Sequence, residues 1–477
     1  MEKYQNFVDG AFVDADSAIL VDVVNPATCA VIAQVPESSA EDVCFAVRAA
    51  KDAFPAWSRL SHSQRAVYLR RIATKIRERV TMLAEVISRE QGKVLPLATH
   101  EVNLAANYLD YVAEWALRIE GEIVSSEVPG EMILLQRKPI GVVGAILPWN
   151  FPFFLIARKV APAILTGNTV VVKSSEETPI NAALFARILA EVELPRGVVN
   201  IISGRGGTTG SALSSHRDVG LISFTGSVST GMSIMAAAAH NLTRVNLELG
   251  GKAPAIVMND ADLDVAVKAI HESRIANTGQ LCNCPERIYV QRGVLDAFND
   301  RIAKVMAGTT YGDPFGKTEV MMGPLINEAA LRKIDGLVSE AKAGGAEALV
   351  GGRICRSQPG YHYEPTVLIN CNSEMDIMRR EIFGPVLPIQ AVDDLDEAIS
   401  LANASDYGLT SSIFTRDLAS AMHAARELQF GETFINRNNF EAIQGFHAGR
   451  KKSGIGGTDG KHGLYAYTET HIVYMQA

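Results

Sequence analysis

Cysteine is scarce in this 477-residue chain. There are six, at Cys29, Cys44, Cys282, Cys284, Cys355 and Cys371, too few and too scattered to staple a fold. That excludes a disulfide scaffold and leads us to expect a reducing, cytoplasmic setting. No apolar run reaches the ~18 residues of a membrane-spanning helix, and the first residues, Met1 to Gly10, lack the basic and apolar stretches of a secretory leader. The chain is therefore expected to be neither exported by that route nor embedded in a membrane. No long Lys/Arg block is present either. With 45 basic and 53 acidic side chains the net charge is −8, which leaves no electrostatic footprint for nucleic acid or anionic lipid. The ten histidines are dispersed, and no second Cys or His cluster at ligand spacing lies near Cys282 and Cys284, so no metal is expected. Small molecules and copies of the chain itself remain as partners.

What is present is the composition of an enzyme-sized globular protein: 47% hydrophobic and 21% charged residues, with 39 glycines and 19 prolines. At about 150 residues per domain the length suggests roughly three domains. From Glu41 to about Trp115 the apolar positions, such as Leu69, Ile72, Ile76 and Val80, fall at helical spacing. Short β-branched runs follow at Ile140–Leu147, Thr169–Val172, Val198–Ile202, Leu221–Phe224 and Val245–Leu247. They alternate with Ala/Leu-rich stretches at Phe153–Leu165, Ala182–Val192 and Met232–His240. This β-α-β-α-β order predicts an α/β fold with a doubly wound parallel sheet, which binds ligands beyond its strand C-termini. After Gly250-Gly251 a second alternation begins with Ala255–Met258 and Leu263–Asn277 and continues to about Leu409. The tail closes with a strand-like His471–Met475, an edge of the kind that pairs with another subunit.

Several residues have the chemistry for a site, each with a bland reading beside the functional one. Cys282, in Gly279-Gln280-Leu281-Cys282-Asn283-Cys284, follows a helix in a polar, glycine-flanked segment. It suits an accessible nucleophile, or else it is one more buried thiol. Glu248 ends a predicted strand just before paired glycines, as a general base or a solvated loop carboxylate. Asn150, in Pro148-Trp149-Asn150-Phe151-Pro152, is either a helix N-cap or an amide donor to an oxyanion. Phe224-Thr225-Gly226-Ser227 leads from a strand into a helix whose N–H groups suit a pyrophosphate. The second glycine cluster, Gly204, Gly206 and Gly210, no more matches G-x-G-x-x-G than the first does.

Taken in order, these strings, together with Lys173 and Glu176 and with Glu381-Ile382-Phe383-Gly384-Pro385, resemble the NAD(P)-dependent aldehyde dehydrogenase superfamily over essentially the whole chain. The resemblance implies a Rossmann-like cofactor domain from 1–120 and 140–250, a second α/β catalytic domain over 251–445, and a small β oligomerisation arm from 121–139 and 446–477. It implies a homodimer or homotetramer. It makes Cys282 the nucleophile that forms a thiohemiacetal, Asn150 and the Cys282 N–H its oxyanion donors, and Glu248 the base that activates water against the thioester. Lys173 and Glu176 would hold the adenosine ribose, favouring NAD over NADP, although Ser174 stands where the family commonly has proline. Trp149, Gly226 and Ser227 would lie along the dinucleotide, and Glu381 and Phe383 at its nicotinamide end.

For the substrate, Asn283, Glu441 and His447 are polar where a tunnel to Cys282 is expected, which disfavours fatty and aromatic aldehydes. With Arg158 they are similar to the branch of the family that oxidises lactaldehyde and glycolaldehyde, so a short hydroxyaldehyde is expected. Arg158 or Arg450 would instead anchor an anionic aldehyde such as succinic semialdehyde. A non-redox thioesterase or esterase would use the same thiol, but it has no need of Lys173, Glu176 or the Gly226-Ser227 turn. Release of the thioester to CoA is disfavoured by the presence of Glu248.

Overall fold

A computed structural model of the chain describes residues 2–476. Its centre is an eight-stranded sheet built on five parallel strands. The chain enters at Val142–Ile146, adds Thr169–Lys173 and Val199–Ile202 on one side, then returns to add Val219–Thr225 and Arg244–Glu248 on the other. These strands are buried on both faces, and helices Pro152–Leu165, Ile180–Glu191 and Val228–Ala239 connect them. This is the doubly wound α/β arrangement, and its switch point lies between Val142–Ile146 and Val219–Thr225. Four helices, Ala40–Arg59, His62–Arg77, Val80–Gln91 and Leu95–Ala113, pack beside it.

A seven-stranded sheet follows, spatially ordered Glu347–Val350, Thr366–Ile369, Val386–Val392, Pro285–Gln291, Ala253–Val257, Thr410–Phe414 and Glu432–Ile435. The second alternation thus runs beyond Leu409 to Ile435. A third, exposed sheet joins Glu122–Val124, Glu131–Pro139 and Thr468–Gln476, with nine residue pairs between the last two strands. Among the described residues of the tail expected in this arm, Thr468–Gln476 is the segment that joins this sheet. Gly454–Ile455 instead pairs antiparallel with Leu247 and Glu248. A Cβ on Gly454 would stand 2.5 Å from the Leu247 carbonyl oxygen, so a side chain there would prevent this approach.

The sheet registers put the candidate residues on one edge. Ile146 lies opposite both Lys173 and Phe224, and Thr225 opposite Glu248. The C-terminal ends of four strands therefore deliver Trp149 and Asn150, Lys173, Gly226 and Ser227, and Glu248 to the same border. Cys282 precedes Pro285–Gln291, at the start of a strand of the second sheet.

Candidate active site

Between the two sheets lies a cavity of about 290 Å³. Its wall includes Trp149, Asn150, Gly226, Ser227, Glu248, Cys282, Glu381 and Phe383. Sequence positions more than 200 residues apart thus share one enclosure. Lys173, Glu176, Arg158, Asn283, Glu441 and His447 do not line it.

Cys282 is half-buried, whereas Cys284 is buried with its sulfur 3.0 Å from the Arg274 guanidinium. The two thiols are therefore not equivalent. The backbone leading to Cys282 is unusual: Asn277, Thr278 and Gly279 all have positive φ, at 48°, 61° and 73°. For the two non-glycine residues this is strained, and such strain persists only where surroundings enforce it. They do so through Thr278 Oγ1 donating to the Gly323 carbonyl, Asn277 Nδ2 to the Asn150 carbonyl, and the Ile326 N–H to Gln280 Oε1. Glycine is required at 251 as well, where a Cβ would stand 2.3 Å from the Cys282 carbonyl oxygen.

Asn150 is buried, and it is not a helix cap. The N-cap position of Pro152–Leu165 is Phe151, with no side-chain bond, and the helix amides of Phe153 and Phe154 donate to Glu101 Oε1 instead. Glu101 is paired with the equally buried Lys93, which also donates to the Asn150 carbonyl at 2.7 Å. The Asn150 side chain is thereby free to point at the cysteine loop, where its Nδ2 donates to the Gln280 carbonyl at 3.0 Å. Glu248 is no solvated loop carboxylate: it is buried, and its Oε1 has no hydrogen-bond partner among the described residues. An unsatisfied buried carboxylate oxygen facing a cavity is poised to accept from a molecule that enters.

On the cofactor side, Trp149 and Phe383 meet edge to face at 5.5 Å. Glu381 accepts the Gly251 N–H at 2.8 Å, and burial, reinforced by the charge of Glu286, lifts its carboxyl to about 7. Lys173 and Glu176 form an ion pair at 2.8 Å, and Glu176 also accepts the Gly206 N–H. Although burial works against ionisation, Lys173 holds the Glu176 carboxyl below its usual range. Ser227 caps Val228–Ala239 by accepting the Thr230 N–H.

A second polar group adjoins Cys282. Asn283 Nδ2 donates to Glu441 at 2.5 Å, and the Arg158 guanidinium lies 3.5 Å from the other Glu441 oxygen. Arg158 is engaged on two atoms by Asp459, with its Nε 2.9 Å from Oδ1. Its charge is thus already matched, which argues against a direct anionic anchor. Arg450 is exposed on the short strand Arg450–Lys451. His447 is buried and bonded through Nδ1 to Glu432 at 2.6 Å.

Sequence reading did not single out Asp459, Glu432 or Lys159, the last buried with its Nζ donating to Ser223 Oγ at 3.1 Å and acted on by the charge of Glu248. The signal for Lys159 was present: Arg158 and Lys159 are adjacent cations in a helix whose fourteen residues are all buried. Asp459 and Glu432 carried no comparable local mark.

The chain is 54% identical to lactaldehyde dehydrogenase of Escherichia coli K12, covering 100% of this chain and 99% of that one. A crystal structure of E. coli lactaldehyde dehydrogenase superposes with a TM-score of 0.98 at the same identity, again over 100% and 99% of the two chains. Betaine aldehyde dehydrogenase from Staphylococcus aureus, solved in complex with NAD+, matches at 35% identity and a TM-score of 0.96, covering 99% of this chain and 94% of that one. The sequence profile of the aldehyde dehydrogenase family matches residues 12–473. With the fold, the cavity and these likenesses in agreement, the chain belongs to the aldehyde dehydrogenase family.

Proposed function

We propose that this enzyme oxidises a short hydroxyaldehyde, such as lactaldehyde or glycolaldehyde, to its carboxylic acid with NAD. The observation that carries the substrate reading is the chain Asn283–Glu441–Arg158–Asp459 next to Cys282, buried except at the partly exposed Glu441. An apolar aldehyde would offer such groups no polar contact beyond one another in exchange for water, whereas a hydroxyl can exchange hydrogen bonds with them. The 54% identity to a lactaldehyde dehydrogenase supports the same reading.

In this mechanism the Cys282 sulfur attacks the aldehyde carbon. Charge then develops on the carbonyl oxygen, where the second amide proton of Asn150 and the Cys282 N–H stabilise it by roughly 3–4 kcal/mol per well-placed donor. Glu248 accepts the proton of the water that hydrolyses the thioester. The residues present fit a dinucleotide. Thr225 Oγ1 is buried without a partner among the described residues, and the Trp149–Phe383 ring pair and Glu381 line the same cavity. When bound, the nicotinamide supplies the acceptor for the hydride that leaves the aldehyde carbon. Gly226 and Ser227 would take the phosphates, Glu381 a ribose hydroxyl, and Lys173 with Glu176 the adenosine ribose.

The ionised Glu176 would repel a ribose phosphate, which favours NAD over NADP. Glu176→Gln is expected to raise kcat/KM with NADP relative to NAD by about tenfold, the effect of ~1.4 kcal/mol of removed repulsion. An unchanged ratio would contradict this role. For the substrate, kcat/KM with NAD should be highest for lactaldehyde and glycolaldehyde among a set including benzaldehyde, a long aliphatic aldehyde and succinic semialdehyde. A preference for any of the last three overturns the hydroxyaldehyde reading.

All six cysteines are unpaired, which supports a cytoplasmic location. Exposed Ile472, Tyr474 and Met475 on the arm strand support assembly with further copies of the chain.

A further inference from the structure

We propose that Lys93, with its buried counter-ion Glu101, is a positioning residue for the oxyanion donor: its ammonium clamps the Asn150 peptide so that the free amide proton of that side chain stays aimed at the developing charge. The inference rests on the reading of Asn150 as the oxyanion donor and adds to it the groups that hold the donor in place.

Each ammonium proton of Lys93 has a partner. Nζ lies 2.5 Å from Glu101 Oε2, 2.7 Å from the Asn150 carbonyl oxygen and 3.5 Å from the centroid of the Phe151 ring. The carboxylate is used as fully. Its other oxygen, Oε1, accepts the N–H groups of Phe153 and Phe154 at 2.8 and 3.1 Å. One ion pair thus grips the turn from Asn150 to Phe154 on both sides of Pro152, through a carbonyl and a ring before it and two amides after it. Lys93 stands in the short link between the helices Val80–Gln91 and Leu95–Ala113, and Glu101 lies in the second of them, so the grip comes from outside the sheet that carries Asn150.

An ion pair buried to this degree calls for a reason. Both side chains are withdrawn completely from solvent. Desolvating two charges is costly, and apolar residues of similar volume often serve a core as well or better. Apolar residues cannot hold a carbonyl, however. The Asn150 carbonyl also accepts Asn277 Nδ2 at 3.1 Å, and Asn150 Nδ2 donates back to the Gln280 carbonyl at 3.0 Å. Those two bonds tie Asn150 to the cysteine loop, at a residue, Asn277, whose own φ of 48° is strained. Lys93 ties it to the helical layer by a shorter, charge-assisted bond. Without that bond the Asn150 peptide is held by the strained loop alone, and the amide can move with the loop. A displacement of about 1 Å at a catalytic group is enough to cost about 10²-fold in rate. Asn150 lines the cavity and Lys93 does not, so Lys93 acts through Asn150 rather than on the substrate.

The test is steady-state kinetics with lactaldehyde and NAD in four proteins: the unaltered enzyme, Lys93→Met, Asn150→Ala and the double variant. Lys93→Met is expected to lower kcat by about 10–100-fold with KM little changed. On top of Asn150→Ala the same substitution should cost less than about twofold, because no donor is left to aim. Iodoacetamide alkylation of Cys282 forms no oxyanion and should keep its rate in Lys93→Met, which also shows that the site is folded. An unaltered kcat in Lys93→Met overturns the proposal. So does a loss of equal factor in both backgrounds, or an alkylation slowed as much as turnover, since either marks a general loosening of the site. Should Lys93→Met not fold, Glu101→Gln takes its place in the cycle, and equal losses in both backgrounds are again the overturning result. Failure of the oxyanion reading itself is distinct, because it would appear as kcat retained in Asn150→Ala.

Discussion

Asn150 has two amide protons, and one is spent on the Gln280 carbonyl at 3.0 Å. That bond keeps the amide beside Cys282 whether or not substrate is present, which is what a preorganised oxyanion donor requires. Asn150→Ala is expected to lower kcat by about 10²–10³-fold while KM changes little. Steady-state kinetics with lactaldehyde check this, and a loss confined to KM would assign the amide to ground-state binding. Residues of this kind were legible in the sequence because each sits in a short string whose neighbours serve it: glycines beside Glu248 and Cys282, proline beside Asn150. Asp459 and Glu432 were not. Asp459 meets Arg158 across 301 positions and Glu432 meets His447 across 15, and neither string hints at its partner. The choice at Asn150 between cap and donor also needed the fold, since Glu101 fills the capping role from another helix.

At the scale of elements, the loop carrying Glu381 and Phe383 is held by one buried carboxylate. Glu286 accepts the N–H groups of Ile382 and Phe383 at 2.7 and 2.8 Å and pairs with Lys252 and Arg274. Burial raises its pKa, but the two cations and the amides prevail and bring it to about 2, from an ordinary 4.5. A carboxyl with a depressed folded pKa stabilises the fold fully above the unfolded value, and that contribution is lost as pH falls toward the folded one. Acid unfolding should therefore steepen between about 4.5 and 2. Glu286→Gln should be destabilised at pH 7 by about 3–5 kcal/mol and lose part of that pH dependence. Chemical denaturation at pH 7, 4 and 3 measures it; a gap between the two proteins that stays constant with pH would refute it. The strands were largely visible beforehand because β-branched runs buried on both faces leave an uninterrupted apolar signal. The pairing of Gly454–Ile455 with Leu247 and Glu248 was not, since two residues carry no periodicity and their place depends on a close approach that only glycine permits.

For the whole molecule, the arm sheet leaves Ile472, Tyr474 and Met475 exposed along an edge that no other described segment covers. Ile472→Lys with Met475→Lys is expected to shift the protein to a smaller species in sedimentation velocity, with lowered thermal stability and the thiol reactivity of Cys282 kept. An unchanged sedimentation coefficient would assign assembly to another face.

The order in which the chain meets its own site has a further consequence. Asn150 and Glu248 come from the first sheet, Cys282 from the entrance to the second, and His447 and Asp459 from the closing segment that threads back to Glu248. During synthesis the thiol therefore emerges long before the groups that enclose it. A truncated product that stops short of the closing segment keeps Cys282 but lacks Asp459, which leaves the buried Arg158 guanidinium without its two-atom counter-charge, so the site is expected to order only when the closing segment docks.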